Sequence, residues 1–138
     1  MRFIDANVFL YAAIKPKGEV SKEILERKES ARRILLRIEN GEEVAITVVH
    51  LSEIANLLEA KTNLTTALMF IETLLLAENV RILPVSHEDY VKSLLIAKDM
   101  KVSVNDALAY LKMKDLNIKE IYTFDDHSKN LDVEIVRE

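Results

Sequence analysis

Short runs rich in β-branched and other apolar residues alternate along this chain with longer segments of helical periodicity. Five such runs occur, at residues 2–5, 44–48, 80–85, 120–124 and 133–136. Each shows little alternation of polar and apolar side chains, which is typical of strands buried on both faces of a parallel sheet. Parallel strands need crossover connections, and helices supply them. The pattern therefore predicts an α/β fold.

The segments between the runs carry helical stripes. The first stripe consists of Ala31, Ile34, Leu35 and Ile38, and Asn40-Gly41 supplies its stop. Further helices are predicted around Ile54, Leu57 and Leu58 and over residues 66–77, 88–100 and 104–116. Residues 66–77 are apolar on almost every side, so this segment is predicted to be either a buried helix or one that packs against a partner.

Composition narrows the class of protein. The chain has 138 residues, of which 49% are apolar and 30% charged, so we expect a single globular domain over residues 1–138. It has no cysteine, which excludes disulfide scaffolds, thiolate zinc sites, iron–sulfur clusters and cysteine nucleophiles.

Charge and hydropathy give further expectations. The net charge of −4 argues against nucleic-acid binding through an overall positive surface potential, but it is compatible with a local basic face or a bound metal. The most apolar run, residues 68–77, contains Glu72 and is far shorter than the roughly 20 residues of a membrane span. We therefore expect a cytoplasmic protein without a membrane partner.

Four acidic residues fall where strands meet helices. Asp5 closes the first strand and Asp125 closes the fourth, and the carboxyl ends of parallel strands share one edge of a sheet. Glu53 lies in the helix after the second strand, and Asp106 lies near the start of a later helix. Carboxylates that converge in this way repel one another unless a cation is present, and oxygen ligands suit Mg²⁺ or Mn²⁺.

Each acid also has a simpler interpretation. Asp5 fits a helix N-cap, and Ser103 with Asp106 fits a capping box. The pair Asp125-Asp126 fits an Asx-turn before a short helix, and Glu53 fits a partly exposed surface residue. The metal-site prediction therefore depends on the four acids together.

Four segments carry a family resemblance that covers essentially the whole chain. They are Ile4-Asp5-Ala6-Asn7, Leu51-Ser52-Glu53-Ile54, Asn105-Asp106-Ala107-Leu108 and Tyr122-Thr123-Phe124-Asp125. In this order they resemble the four acidic motifs of PIN-domain ribonucleases, and the length is similar to that of VapC-type toxins of toxin–antitoxin pairs. The resemblance implies a three-layer sandwich with a mostly parallel central sheet and helices on both faces. It also implies a Mg²⁺-dependent endoribonuclease that cleaves RNA, forms a homodimer and is inhibited by a small cognate antitoxin.

The resemblance also implies residue roles. Asp5, Glu53 and Asp106 match the three acids that the family uses most regularly as metal ligands, and Asp125 matches the fourth. Thr123 matches a hydroxyl that supports the site, and Asn7 matches a small polar position beside the first acid. Two positions depart from the family pattern: Ser128 stands where an aromatic residue is common, which leaves Asp126 as an alternative fourth acid, and Asn117 stands where a glycine commonly ends a helix.

Residues 66–77 acquire a second interpretation from the resemblance, which favours a dimer interface over a buried helix. We expect Phe70 and Leu74 on its outward face.

The basic residues Arg27, Lys28, Arg32, Arg33 and Arg37 alternate with glutamates in one helix, and a solvated helix face is favoured over an RNA-binding ridge.

His50, His87 and His127 lack metal-ligand spacing, so surface or capping roles are favoured, and His127 is the one to test because it follows Asp125.

A phospho-receiver-like signalling module would need an acidic pair at the end of the first strand, which the sequence Asp5-Ala6-Asn7 lacks. A PIN-like domain retained only for binding is disfavoured because all four acids are present.

Overall fold

The computed structural model describes residues 1–137 and contains, within them, one five-stranded sheet. The strands are β1 (Arg2–Ile4), β2 (Val44–Thr47), β3 (Val80–Leu83), β4 (Glu120–Tyr122) and β5 (Glu134–Val136). Their order across the sheet is β3-β2-β1-β4-β5, and all four neighbouring pairs are parallel. The predicted parallel α/β sheet is confirmed, and each predicted run contains one of the strands. The predicted single domain ends at residue 138, which lies outside the described residues.

Six α-helices connect and cover the strands. They are α1 (Ala6–Ala13), α2 (Lys22–Glu39), α3 (Val48–Lys61), α4 (Leu64–Leu76), α5 (His87–Met100) and α6 (Val104–Asp115). A short 3-10 helix (Asp126–Asn130) precedes β5. Asn117, just after α6, has a φ of 55°, so it adopts the left-handed conformation for which glycine is common at this position. No helix within residues 1–137 is long and apolar enough to cross a membrane.

The sheet is buried on both faces. Successive strand residues point to opposite faces, and each set belongs to a separate apolar cluster. Ile4 and Ile46 belong to one apolar cluster, which includes core residues of α1, α2, α3 and α4. Their strand neighbours Phe3 and Ala45 belong to a second cluster on the other face, where Met113 of α6 covers them. The expected three-layer sandwich with helices on both faces is therefore confirmed.

Helix α1 was not among the sequence predictions. It has no acidic residue in its first turn and no basic residue in its last turn, so the usual end signals are missing. A distant side chain supplies the cap: the Lys28 ammonium of α2 donates to the carbonyl oxygens of Tyr11, Ala12 and Ile14 at 3.1, 3.2 and 2.9 Å. Placing Lys28 on a solvated helix face was wrong, since it is only 8% exposed. Its pKa is lowered, first by burial and then by nearby cations.

Helix α4 presents a different face from the one expected. Leu74 is buried in the core, and Phe70 packs edge-on against Phe9 at 5.8 Å between ring centroids. The expectation that Phe70 and Leu74 point outward is therefore wrong. The exposed apolar side chains of the helix are Leu64, Leu68, Met69, Leu75 and Leu76.

Candidate metal centre

One cleft at the carboxyl edge of the sheet contains all four predicted acids. Its volume is about 450 Å³, and it is lined by Asp5, Asn7, Leu10, Glu53, Leu57, Ser103, Val104, Asn105, Asp106 and Asp125. Asp5 directly follows β1, and Asp125 lies three residues beyond the end of β4, which pairs with β1. Glu53 lies in the second turn of α3, whereas Asp106 lies in the first turn of α6. Four separate elements therefore bring carboxylates to one place.

The hydroxyl of Thr123 positions three groups at the cleft by hydrogen bonds. It donates to Asp5 Oδ2 at 2.9 Å and accepts from the backbone N–H of Asp125 at 3.0 Å and from Asn7 Nδ2 at 3.3 Å. A hydroxyl offers one donor and two acceptor positions, so all of its capacity is used. Asp5 stands at the N-cap position of α1, but its side chain makes no capping hydrogen bond. Its carboxylate is held by Thr123 instead.

Asn7 joins α1 to the segment after β4. Its Oδ1 accepts from the backbone N–H of Phe124 at 3.3 Å, and its Nδ2 donates to Thr123 Oγ1. These two contacts define the orientation of the amide. The side chain therefore supports the site at a point next to Asp5 rather than facing solvent.

Asp106 carries the least satisfied polar atom of the cleft. The Ser103 hydroxyl caps α6 by accepting from the backbone N–H of Asp106 at 3.0 Å. The Asp106 residue is only 9% exposed, and its Oδ2 is buried without a hydrogen-bond partner among the described residues. A buried carboxylate oxygen without a partner is costly, and a cation would satisfy it.

Burial and mutual repulsion raise the pKa of Asp5, Glu53 and Asp106. Burial raises the pKa of Asp5 to about 6; the Thr123 hydrogen bond opposes this shift, and Asp106 and Asp125 add to it. Burial also raises the pKa of Glu53, with a further contribution from Asp5, and that of Asp106, with a further contribution from Asp125. The donor set therefore fits a hard divalent cation, which would offset the repulsion.

Asp125, and not Asp126, lines the cleft. Asp125 Oδ1 accepts from the backbone N–H of His127 at 2.8 Å, so the predicted Asx-turn is present. Asp126 is exposed, and its Oδ1 accepts from Arg137 at 2.9 Å. That hydrogen bond, followed by the charge of Lys129, lowers the pKa of Asp126. The alternative fourth acid is therefore paired at the surface, outside the set of lining residues.

His50 is a supporting residue that sequence reasoning missed. It is 1% exposed, so the surface assignment was wrong. Its Nε2 lies 3.1 Å from the carbonyl oxygen of Asn105, and its Nδ1 lies 2.6 Å from Thr47 Oγ1. Because a carbonyl only accepts, Nε2 carries the proton and Nδ1 accepts from the Thr47 hydroxyl. Burial lowers the pKa of His50, which favours this neutral ring.

His50 thereby ties the helix of Glu53 to the helix of Asp106. Asn105 completes the link, because its Nδ2 donates to Glu53 Oε2 at 3.5 Å. The spacing of Thr47 and His50 at the start of α3 is a local signal for the capping part of this arrangement. The contact with Asn105 has no local signal, since 55 residues separate the two positions.

The chain matches a known protein family. The family model of the PIN domain matches residues 2–134. The chain belongs to the PIN-domain family. This confirms at the family level the resemblance seen in the four acidic segments. A comparison with curated protein sequences finds no match.

Solved structures of a VapC toxin, a toxin–antitoxin complex and VapBC2 share the fold. VapC20 of Mycobacterium tuberculosis, described as a toxin that cleaves the sarcin–ricin loop, is 23% identical over 100% of both chains, with a TM-score of 0.73. A toxin–antitoxin complex from Klebsiella pneumoniae is 12% identical over 99% of this chain and 96% of that one, with a TM-score of 0.64. VapBC2 from Rickettsia felis, bound to a promoter DNA fragment, is 12% identical over 99% and 98%, with a TM-score of 0.65.

The first prediction concerns the link made by His50. His50→Asn removes the Nε2 contact and leaves the carbonyl of Asn105 without its donor, so we expect unfolding in urea to require about 1–2 kcal/mol less free energy. His50→Gln places an amide nitrogen near the position of Nε2 and should lose less. Both variants lose the ring packing against Phe3, at 5.4 Å between centroids, so the pair isolates the hydrogen bond. Equal stabilities would contradict the assigned link.

The second prediction concerns Asp5 in protein kept free of metal with a chelator. Its pKa is about 6 in the fold, above its ordinary value of 3.8, so the fold favours the protonated acid. This contribution is present below about pH 4 and is lost as the pH rises through about 6. Chemical unfolding of the wild type and of Asp5→Asn should therefore show a stability difference that grows by about 2–3 kcal/mol in favour of the variant between pH 4 and pH 7. A constant difference would contradict the burial of this carboxylate.

Proposed function

We propose that this chain is a metal-dependent endoribonuclease that hydrolyses RNA phosphodiester bonds with Mg²⁺ or Mn²⁺. The observation that carries the proposal is the convergence of four carboxylates around a cleft in which Asp106 Oδ2 is buried without a partner. Membership of the PIN-domain family and the shared fold with VapC proteins support the same activity. In this proposal the chain is the toxin of a type II toxin–antitoxin pair.

In this proposal, Asp5, Glu53 and Asp106 hold the cation and Asp125 is the fourth acid. A divalent ion supplies Lewis acidity: it lowers the pKa of a bound water and neutralises charge on the scissile phosphate. The chain's own part is to orient its carboxylates before RNA binds. Thr123 fixes the rotation of Asp5 by its hydrogen bond to Oδ2, and Asn7 holds Thr123 in turn.

Two features disfavour the rival functions. A phospho-receiver-like module would need an acidic pair after β1, where this chain has Asp5, Ala6 and Asn7. A domain retained only for binding would have no use for a buried, unpartnered carboxylate oxygen at Asp106, which costs folding free energy in the absence of a cation.

The proposed macromolecular partners are RNA as substrate and a small antitoxin as inhibitor. Support for the antitoxin comes from two structural neighbours, which are toxin–antitoxin complexes. Support for RNA comes from VapC20, described as a toxin that cleaves the sarcin–ricin loop. An apolar groove that begins at Asn7 and continues along Leu10, Tyr11 and Ile14 adjoins the acidic cleft, so a protein seated there would lie beside the site.

The catalytic proposal predicts the behaviour of three matched variants. Asp5→Asn and Asp106→Asn should each reduce Mg²⁺-dependent RNA cleavage by at least about 100-fold, since even supporting residues around a metal cost up to that much. Asp99→Asn is the control, because this acid is exposed on α5 and does not line the cleft, and it should cleave at the wild-type rate. Circular dichroism checks that all three fold. Wild-type cleavage by Asp5→Asn or Asp106→Asn would refute the assignment.

We further propose that the exposed apolar face of α4 pairs with a second copy of this chain. The face carries Leu68 and Leu75, seven residues apart on one side of the helix, with Met69 and Leu76 beside them. All four are more than half exposed, at 56–74%, which is a large apolar area to leave in water. In a two-fold dimer each such contact occurs twice.

The dimer prediction uses charges placed on that face. Leu68→Glu and Leu75→Glu should shift the mass measured by light scattering from dimer to monomer, because each places a charge in an apolar interface. Thr66→Glu, an exposed position of the same helix that lies off the stripe formed by Leu68, Leu75 and Leu76, should leave the mass unchanged. A monomeric wild type at tens of micromolar, or variants that keep the dimer mass, would contradict the interface.

A further inference from the structure

A histidine stands beside two of the acids in the candidate metal centre. Asp106, Asp125 and His127 each offer a ligand atom, and these three atoms lie within 4.8 Å of one another. Two ligand atoms bound to the same ion are at most about 4.2 Å apart when each bond is about 2.1 Å. A shift of less than about 1 Å would therefore bring the three atoms around one ion. The His127 side chain is 73% exposed, so rotation of its ring meets little resistance.

The local backbone directs these groups toward the same point. The N–H of His127 donates to Asp125 Oδ1, and its Nδ1 lies 3.3 Å from the same oxygen. Arg137 anchors the segment by donating to the carbonyl oxygen of Thr123 at 3.0 Å and to Asp126 at 2.9 Å. Asp126 is thereby held on the outside, while Asp125 lines the cleft and His127 lies beside it.

The second observation that points to a ligand comes from Asp106 itself. The residue is only 9% exposed, and its Oδ2 is buried with no hydrogen-bond partner among residues 1–137. An acidic cluster at a surface needs no ion, because water solvates it. Asp106 Oδ2 lacks that solvation, so this group of three contains a buried oxygen that requires a cation or a proton.

We propose that Asp106, Asp125 and His127 form a mixed nitrogen–oxygen site that selects divalent first-row transition metal ions over Mg²⁺. Mg²⁺ takes oxygen ligands and retains several waters, whereas imidazole suits ions such as Ni²⁺ and Zn²⁺. The site deepens the proposed nuclease function and rests on it, since Asp106 and Asp125 belong to both. His127 is what distinguishes it from an oxygen-only centre.

The test measures metal binding rather than RNA cleavage. Calorimetry with Ni²⁺ alone and Mg²⁺ alone at pH 7.5 compares the wild type with His127→Gln and with His87→Gln, which removes another exposed histidine, at the start of α5. We expect His127→Gln to bind Ni²⁺ at least about tenfold more weakly and Mg²⁺ within about threefold of the wild type. His87→Gln should bind both ions as the wild type does.

A spectroscopic measurement identifies the ligand atom. With Mn²⁺ as the probe, electron spin-echo modulation should show coupling to nitrogen in the wild type and none in His127→Gln. Asp106→Asn must also weaken Ni²⁺ binding, because a histidine that bound Ni²⁺ alone would be unaffected by that change.

The outcomes separate this inference from the nuclease proposal. Mn²⁺ bound without nitrogen coupling, or Ni²⁺ affinity unaffected by His127→Gln, overturns the mixed site while Asp5-dependent and Asp106-dependent RNA cleavage still stands. A wild type that binds neither Mg²⁺, Mn²⁺ nor Ni²⁺ overturns both. Ni²⁺ affinity lost in His127→Gln but unchanged in Asp106→Asn assigns the binding to an isolated surface histidine and also overturns the mixed site.

Discussion

The hydroxyl of Thr123 is the contact on which the rest of the site depends. It is buried immediately after β4, and its three hydrogen bonds reach the carboxylate after β1, the amide of α1 and the backbone of the turn that carries Asp125. Asp5 and Asn7 belong to the junction of β1 and α1, whereas Asp125 lies in the turn after β4, so one side chain sets the relative positions of these two segments. Because all three bonds are made by one atom, a change in any of the segments would be felt by the others.

Ionisation of the buried acids destabilises the fold that brings them together. Burial raises the pKa of Asp5, Glu53 and Asp106, which means that the folded chain resists their ionised forms. The same region contains neutral supports: His50 has a lowered pKa and joins α3 to α6 by hydrogen bonds without adding charge. The core supplies the opposing stability, since the sheet is covered on both faces and strand residues such as Phe3 and Ile4 are 0% exposed. A preorganised anionic cleft is therefore stabilised from outside the cleft.

Sequence patterns predicted the sheet and the positions of the acids because these depend on short-range rules. A buried parallel strand is visible as an apolar run, and a residue that follows such a strand lies at the carboxyl edge of the sheet. This reasoning placed Asp5 and Asp125 at one edge, where the structure has them. It failed where the decisive partner is distant: α1 depends on Lys28, 14–17 residues away, and the buried state of His50 depends on Asn105. The predicted orientation of α4 was wrong because apolar residues occur on almost every side of this helix, so the sequence pattern alone does not identify the inner face.

The cleft also has two chemically different sides. Asp5 accepts a hydrogen bond from the Thr123 hydroxyl and Glu53 accepts one from the Asn105 amide, so the candidate ligands on that side are carboxylate oxygens, which are hard donors. Asp125 lies next to the His127 imidazole, and a carboxylate oxygen of Asp106 lies within 4.8 Å of a ligand atom of each. Hard and borderline donors prefer different ions, and irregular backbone is what allows them to meet: Asp5 follows a strand, whereas His127 lies in a single 3-10 turn anchored by Arg137. In the proposed metal centre, the end of β1 therefore positions Asp5, and the 3-10 turn that carries His127 supplies the ligand on which the proposed metal preference depends.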